Sequence, residues 1–237
     1  MKQEILSRLL ENQASKRAFA LVTDMESGDQ TLVYPDSADG ADGGNAEILS
    51  AARQAIQDDR SKVHELSGRR IFVETFNPPL RMLIVGAVHI AQPLSRMASV
   101  AGYDVTVIDP RGSFNTEERF PGISLNAEWP DDGMRALDPD RRTAVVTLTH
   151  DPKLDDPGLE VALKSDAFYI GSLGSRKTHA GRVERLTAAG FTEAEISRIH
   201  APVGLNIGSI SPAEIAVSIL AQITEVLHRK IEAREAA

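Results

Sequence analysis

Residues 82–91 of the chain read MLIVGAVHIA. A short apolar run ends at Gly86 and helical spacing begins near Ile90, so the stretch predicts a strand, a tight turn and a helix. A dinucleotide-binding turn requires Gly, any residue, Gly, two further residues and then Gly or Ala. Gly86 and Ala91 fit the outer positions, whereas Val88 stands where the second glycine belongs. The loop Gly86–Ile90, with Ala87 and His89, is a candidate phosphate site, and a tight turn without ligand is the alternative.

The same strand-and-helix pattern repeats after Asn77-Pro78-Pro79. Each apolar run is continuous and is followed by a helix-like segment; the runs span 82–85, 105–108, 144–148 and 167–170. Continuous apolar runs are typical of strands buried on both faces, as in parallel sheets covered by helices. Residues 80–237 are therefore predicted to form a Rossmann-like domain with a doubly wound parallel sheet, of fold class α/β.

Residues 1–77 have a different pattern. Apolar spacing predicts a helix over 1–13 and another over 46–58, whereas 18–24, 30–35 and 69–76 read as strands. The Gly- and Asp-rich segment 37–45 is predicted to be a loop. Consecutive prolines interrupt both helix and sheet, so they mark the boundary of a small N-terminal α+β domain.

Composition excludes several classes of protein. The 237 residues carry a formal net charge of −8, which argues against a nucleic-acid partner. No apolar run approaches the length that spans a bilayer, and the N-terminus lacks a secretory apolar region, so no membrane association or export is expected. The sequence contains no cysteine, which removes thiolate ligands and fits a reducing compartment. The expected location is the cytoplasm.

A second candidate site follows the strand AVVTLT. In open α/β sheets, ligands lie outside the carboxyl ends of the strands. A hydroxyl, an imidazole, a carboxylate and an amine occur there together, on Thr149, His150, Asp151 and Lys153. Histidine titrates near neutral pH and lysine binds phosphate, so the cluster suits a polar ligand or proton transfer. A solvated loop in which Asp151 only caps a turn is the alternative.

A third candidate is the small-residue loop after the strand at 167–170. Free backbone N–H groups, small residues and two cations at a helix start are typical of anion binding; the residues are Gly171, Ser172, Leu173, Gly174, Ser175, Arg176 and Lys177. Ordinary capping by Ser175 or Ser172 is the alternative. The irregular segment 199–208 could form a wall or lid over the crevice, or only connect two helices.

The second strand of the Rossmann pattern ends at Asp109-Pro110-Arg111. An acid at this position can hydrogen-bond a ribose 2′-hydroxyl and select NAD over NADP, and Arg111 could reach the same crevice. No spacing of His, Asp and Glu makes a convincing metal site. Farther along, Ser211, Pro212 and Glu214 predict a capped helix with an apolar stripe at Ile215, Ile219, Ile223 and Val226.

Taken in order, these segments resemble the Rossmann domain of the XdhC/CoxI family over about residues 80–228. The stretches that carry the resemblance are IVGAVHIAQPLSRMA, VTVIDPRGSF, ERFPG, TAVVTLTHDPKLDDP, FYIGSLGSRKTHAGR, IHAPVGLNIG and SPAEIAVSILAQI. The resemblance implies an accessory protein that binds the molybdenum cofactor, supports its sulfuration and delivers it to a xanthine dehydrogenase-type enzyme. It also implies two partners, a cysteine desulfurase and the molybdenum hydroxylase large subunit, together with a homodimer.

The sequence departs from the family in two places. The family loop reads Gly-Ala-Gly-His, where this chain has Val88 at the second glycine. The N-terminal Gly-Ser-Ser-Pro-Arg-like motif is absent, and Gly43-Gly44-Asn45 stands where the family has a Gly-Gly-Cys-like stretch. Besides the cofactor chaperone, two functions stay open at this point: an NAD(P)-binding oxidoreductase that uses the same crevice, and a non-catalytic interaction module.

Overall fold

The computed structural model describes residues 3–40 and 42–235, with only the backbone described for Glu4 and for residues 230–235. The chain divides into two compact units, Met1–Pro78 and Pro79–Ala237. Ala41, in the segment predicted to be a loop, lies outside the described residues, as do residues 1–2 of the first predicted helix. In the described part of the chain, no helix is both long and apolar enough to cross a membrane.

The N-terminal unit is a five-stranded antiparallel sheet with two helices. Its elements are α1 (Gln3–Ala14), β1 (Phe19–Asp24), β2 (Gln30–Val33), β3 (Ala38–Gly40), α2 (Ala46–Asp58), β4 (Lys62–Leu66) and β5 (Arg69–Phe76). The strand order is β3-β2-β1-β5-β4. Alternate residues of β1 serve two clusters, because Ala20 and Val22 pack with α2 whereas Phe19 and Leu21 pack with Leu9 of α1.

Two strands of this unit depart from the sequence prediction. The predicted loop 37–45 contains the three-residue edge strand β3, which pairs with β2. The strand β4, of sequence KVHEL, pairs with β5 at the other edge of the sheet and has no buried residue. An edge strand with both faces partly in solvent needs no apolar alternation, so periodicity could not reveal either one.

The C-terminal unit alternates strands and helices. Its elements are β6 (Arg81–Val85), α3 (Ala91–Val100), β7 (Asp104–Ile108), β8 (Ser124–Asn126), α4 (Pro130–Leu137), β9 (Thr143–Thr147), α5 (Pro152–Lys164), β10 (Tyr169–Ser172), α6 (Arg176–Ala188), α7 (Glu193–Ile196), β11 (Ile199–His200) and α8 (Pro212–Glu235). All four strands predicted from the apolar runs are present. The two- and three-residue strands β11 and β8 were not predicted.

The six strands of this unit form one parallel sheet in the order β11-β10-β9-β6-β7-β8. Numbered within the unit, this is 6-5-4-1-2-3, the strand order of a Rossmann fold. The predicted doubly wound α/β class is therefore confirmed. The strand order reverses between β6 and β9, so the loops that follow these two strands meet at the topological switch point.

The central strands are buried on both faces. Met82 and Ile84 of β6 pack into a cluster with α3 and α8, whereas Leu83 and Val85 pack into a second cluster with α4 and α5. Helix α8 begins with the predicted capping box: the Ser211 hydroxyl accepts from the Glu214 amide at 3.2 Å, and the Glu214 carboxylate accepts from the Ser211 amide at 2.7 Å. The stripe of α8 lies against the first cluster, as predicted.

Candidate functional site

The loops after β6 and β9 touch at the switch point. The amide of Leu148 donates to the Val85 carbonyl at 2.9 Å, which extends the pairing of the two strands into their loops. Gly86 has a φ of 107°, and a Cβ added there would lie 2.4 Å from Cγ2 of Thr149. Both the backbone conformation and the close approach require glycine at this position. Gly86 thus fixes how near the two loops come.

The turn from Gly86 to α3 presents backbone donors. None of the described residues accepts a hydrogen bond from the amides of Val88, His89 and Ile90, which directly precede the helix. Consecutive free N–H groups at a helix start attract anions, because the helix dipole adds a partial positive charge there. The side chains of Val88 and Ile90 pack against the cluster of β6, α3 and α8, whereas His89 is exposed.

Asp109 corrects the expectation of a ribose ligand. The residue has no solvent exposure, and both carboxylate oxygens are occupied. One oxygen accepts from the Ala87 amide at 2.7 Å and from Nη2 of Arg111 at 2.7 Å, and the other accepts from the amide and Nε of Arg111, each at 2.9 Å. The carboxylate holds the backbone of the Gly86 loop through the Ala87 amide and is not available to a 2′-hydroxyl. An NAD-selecting role for Asp109 has no geometric basis here.

The bidentate ion pair between Asp109 and Arg111 also shifts the pKa of both groups. Burial alone would raise the pKa of Asp109, but the hydrogen bonds from Arg111 and from the Ala87 amide outweigh it and lower that pKa. Arg111 lies over the ring of Phe114, with its guanidinium carbon 4.7 Å from the ring centroid. The charges of Asp151 and Asp155 act on Arg111 as well, so the guanidinium lies at the same sheet edge as the loop after β9. Pro110, between Asp109 and Arg111, is partly exposed.

The loop after β9 is braced by a residue that sequence reasoning missed. Asp155, on the first turns of α5, is 1% exposed and holds the backbone of the loop. Its carboxylate accepts from the Thr149 hydroxyl at 2.7 Å, from the Thr149 amide at 3.1 Å and from the His150 amide at 3.1 Å. Burial raises the pKa of Asp155, and the hydrogen bonds from Thr149 only partly offset it. The position of Asp155 next to the apolar Leu154, which is also buried, was the sequence signal available for its burial.

The remaining side chains of this loop have divided roles. Asp151 caps α5, since its carboxylate accepts from the Lys153 amide at 2.9 Å, so the capping alternative is realised for this residue. His150 has a φ of 62°, a conformation uncommon for histidine. The side chains of His150 and Lys153 are exposed at the mouth of the crevice, where a polar ligand can meet them.

The third candidate loop is in large part structural. Gly171 and Ser172 lie inside β10 and are buried; a Cβ at Gly171 would lie 2.6 Å from Cγ2 of Val203. The Ser172 and Thr147 hydroxyls are hydrogen-bonded to each other at 2.6 Å. Both residues thus have a structural role inside the sheet, and their contact with a ligand stays a prediction. Strand β10 extends two residues farther than the apolar run alone indicates.

The rest of that loop leads into α6. Gly174 has a φ of 140°, and Ser175 caps the helix by accepting from the Thr178 amide at 3.1 Å. Arg176 and Lys177 are exposed, and the Leu173 carbonyl accepts from Arg182 at 3.0 Å. Arg182 is 2% exposed and is a second residue that sequence reasoning missed. Arg182 precedes Leu186 by four residues and so lies on the same buried face of α6, which was the sequence signal available for its burial.

The segment 199–208 begins as the strand β11 and is then held against α8. The Gln222 side-chain oxygen accepts from the Gly204 amide at 2.9 Å and from the Tyr169 hydroxyl at 2.6 Å. The Leu205 amide donates to the Ser218 carbonyl at 3.1 Å. The segment is thus anchored between β10 and α8. Within the described residues, no group of three His, Asp or Glu side chains is arranged to hold a metal ion.

The strand order and the paired loops at its switch point define the class: a Rossmann-type protein with a polar crevice at the carboxyl edge of its sheet. Residues 82–223 match the family model described as the XdhC Rossmann domain. The chain belongs to the XdhC family, and the resemblance seen in the sequence motifs is confirmed.

Three curated relatives match about two thirds of the chain. An Escherichia coli protein, the molybdenum cofactor insertion chaperone PaoD, is 33% identical over 156 residues, 65% of this chain and 43% of the relative. A Bacillus subtilis protein, described as a probable subunit of xanthine dehydrogenase, is 31% identical over 160 residues, 67% of this chain and 46% of the relative. The uncharacterized Escherichia coli protein YqeB is 32% identical over 160 residues, 66% of this chain and 29% of the relative. The chain spans less than half the length of each of these relatives.

A solved structure shares the fold. The crystal structure of a protein from Bacillus halodurans, described as a xanthine dehydrogenase, superposes with a TM-score of 0.75 over 98% of this chain and 68% of its own, at 23% identity. The superposition covers nearly the whole of this chain, so the N-terminal sheet and the Rossmann sheet both have counterparts in that protein.

Proposed function

We propose that the chain binds the molybdenum cofactor and inserts it into a molybdenum hydroxylase of the xanthine dehydrogenase type. The observation that carries this proposal is the family match over 82–223, since that range contains all the loops at the carboxyl edge of the Rossmann sheet. PaoD, named as an insertion chaperone for this cofactor, aligns with about two thirds of the chain. The role is one of binding and transfer, without turnover.

The geometry of the crevice supports an anionic cargo that is not a dinucleotide. The molybdenum cofactor is a pterin with a dithiolene and a phosphate, so its site needs anion donors and polar groups for the pterin edge. The free amides of residues 88–90 supply donors, and exposed His150 and Lys153 supply polar groups across the crevice. Asp109, the acid that a dinucleotide ribose would need, is committed to Arg111 and Ala87.

The finer steps belong to the same proposal. The bound cofactor receives its terminal sulfur and passes, in the cytoplasm, to the large subunit of the hydroxylase, with the chaperone acting as a homodimer. Because the chain contains no cysteine, it cannot carry a persulfide itself. A cysteine desulfurase has the chemistry required to supply the sulfur. Light scattering on the purified protein measures the oligomeric state.

The test is co-expression with an active cofactor pathway, followed by purification. Elemental analysis for molybdenum and fluorescence of the oxidised pterin are expected to show about one equivalent of each per binding-competent chain. A matched preparation from a host that lacks cofactor synthesis is the control. Protein that carries no molybdenum or pterin above that control would overturn the proposal, and mass spectrometry of the released small molecules would then identify any other ligand.

A further inference from the structure

Arg182 of α6 is a buried cation whose hydrogen bonds are incomplete. The residue is 2% exposed, and Nη2 donates to the Leu173 carbonyl at 3.0 Å. Nε and Nη1 are also buried, and no described residue accepts a hydrogen bond from them. Burial lowers the pKa of Arg182. A buried guanidinium with unsatisfied N–H groups is strongly unfavourable unless a partner completes it.

The neighbouring carboxylates do not supply that partner. Asp155 is occupied by the Thr149 hydroxyl and by the amides of Thr149 and His150. Asp156 is taken by Arg185, which donates from both Nε and Nη2. Both acids lie close enough to influence Arg182 electrostatically, yet neither forms an ion pair with it among the described residues. Among the described residues, Nε and Nη1 of Arg182 therefore have no acceptor, and a ligand can supply one.

Arg182 lines a cavity between α5 and α6, beside the loop after β9. The cavity has a volume of about 270 Å³, and its lining includes two further cations, Lys177 and Arg185, and the imidazole of His150. The carboxylates of Asp155 and Asp156 line it as well, and they are occupied by the hydrogen bonds described above. Sites for drug-sized ligands have volumes of roughly 300–1,000 Å³, so this one suits a compact group rather than a whole nucleotide or pterin. His150 and Lys177 are exposed and line the cavity, so it can be reached from solvent.

We propose that this cavity is a phosphate-binding site in which an inorganic phosphate or the phosphate end of a phosphomonoester completes the hydrogen bonding of Arg182. A phosphate dianion offers three acceptor oxygens, which match the unpaired N–H groups of Arg182 and the ammonium of Lys177. The site lies next to the His150 loop. For the identity of its natural ligand the inference rests on the proposed function, in which it holds the phosphate of the pterin cargo.

Titration of the purified full chain with inorganic phosphate and with phenyl phosphate tests the site, by calorimetry at constant ionic strength. Arg182→Met removes the cation and keeps most of the side-chain volume; it is expected to weaken phosphate binding by roughly tenfold to a hundredfold, the value of charged hydrogen bonds. Arg135→Met, on the exposed face of α4 and paired with Asp131 and Asp132, is the matched control and is expected to bind phosphate as the wild type does.

Lys177→Gln keeps the test decisive if the Arg182 variant fails to fold. Lys177 is exposed, so its loss leaves the core intact and is expected to weaken phosphate binding about threefold to tenfold. No phosphate binding by the wild type, or equal binding by the wild type and both variants, overturns the site. Phosphate binding that depends on Arg182 in protein that never carries molybdenum would refute the proposed cargo and leave the site standing. If the protein carries the cofactor but the Arg182 variant binds phosphate as tightly as the wild type, the site is refuted and the proposed cargo stands.

Discussion

Asp109 and Asp155 are two buried carboxylates at the same edge of the same sheet, and they differ in what they contact. Each is at most 1% exposed, and each braces one of the two loops that meet at the switch point. Asp109 is forked by the Arg111 guanidinium, and its pKa is lowered. Asp155 is held by one hydroxyl and two amides, without a bonded cation, and its pKa is raised. The two shifts are thus opposite: the hydrogen bonds from Arg111 and Ala87 outweigh burial at Asp109, whereas burial dominates at Asp155.

The difference between the two acids lies in the groups that hold them. In Asp109 the charge is neutralised from the side by Arg111, so the carboxylate serves the fold rather than a ligand. Asp155 positions the loop after β9 in the same way, but its donors are neutral groups, which form weaker hydrogen bonds. The strength of the hydrogen bonds at each carboxylate therefore predicts how much stability is lost when that carboxylate is replaced.

The largest effect is expected for Asp109→Asn. The amide of asparagine keeps one acceptor oxygen, so its NH2 group faces donors of Arg111 at either position, and the guanidinium loses its counter-charge. Breaking a buried pair costs about 3–5 kcal/mol, and the partial exposure of Arg111 sets the expected loss near the lower end, about 3 kcal/mol. Urea denaturation at pH 7 measures it. Asp132→Asn on the exposed face of α4 is the control, with an expected change within about 0.5 kcal/mol. A loss below about 1 kcal/mol for Asp109→Asn would contradict the brace.

Gly86→Ala is expected to be next, at about 2 kcal/mol, because it combines a positive φ with a clash against Thr149. Gly102→Ala has a positive φ but open space around its Cβ, so only the conformational cost of about 1 kcal/mol is expected. Adding Thr149→Ser removes the clashing methyl and keeps the hydroxyl on Asp155. The double variant should recover the difference between the two glycine variants, and a simple sum of the single effects would show that the loops are not in contact.

The pH dependence of the two braces should have opposite signs. The pKa of Asp109 is lowered on folding, so its contribution is present above the ordinary aspartate value of about 3.9 and fades as pH falls below it. The pKa of Asp155 is raised, so its contribution is greatest below that value and fades as pH rises through the folded pKa. Free energies of unfolding between about pH 3 and pH 7 test this, with each wild-type value compared with that of the Asn variant. If the difference in free energy of unfolding between the wild type and the Asn variant changed with pH in the same direction for both residues, the predicted opposition of sign would be wrong.

Val88→Gly should have the smallest effect. The sequence alone predicts that this change improves NADH binding, because it restores the glycine of the dinucleotide loop. The structure adds that Asp109 is unavailable to the ribose, so neither the wild type nor the variant is expected to bind NADH in a fluorescence titration. Micromolar binding of NADH by the variant would show that the committed Asp109 is not the barrier.

The fold was predictable where burial dictates sequence. The strands β6, β7, β9 and β10 are buried on both faces and appear as apolar runs, and the capping box at Ser211 and Glu214 is local chemistry. The strands β3, β4, β8 and β11 were missed because they are short, or exposed at an edge, and owe their existence to a neighbour already in place. Such strands are set by tertiary pairing, which a local pattern does not contain.

The candidate site was predictable in position and less so in role. The loops at 86–90 and 148–151 could be assigned to one edge, since parallel strands end there together. The pairing of Asp109 with Arg111, two residues away, was not readable, because a carboxylate looks the same in sequence whether it faces solvent or a guanidinium. Asp155 and Arg182 were missed because each is a charged residue inside a helix, where solvent exposure is the usual outcome.

The bracing carboxylates lie beneath the loops and not between them, which has a consequence for kinetics. The hydrogen bonds that fix the loop after β6 and the loop after β9 form within the protein, so both loops are ordered before any ligand arrives. A ligand that binds there then avoids much of the entropic cost of ordering the loops. Ligand binding is therefore expected to follow a single second-order phase whose rate rises linearly with ligand concentration. Under the proposed function, release of the cofactor is expected to be accelerated by the acceptor enzyme.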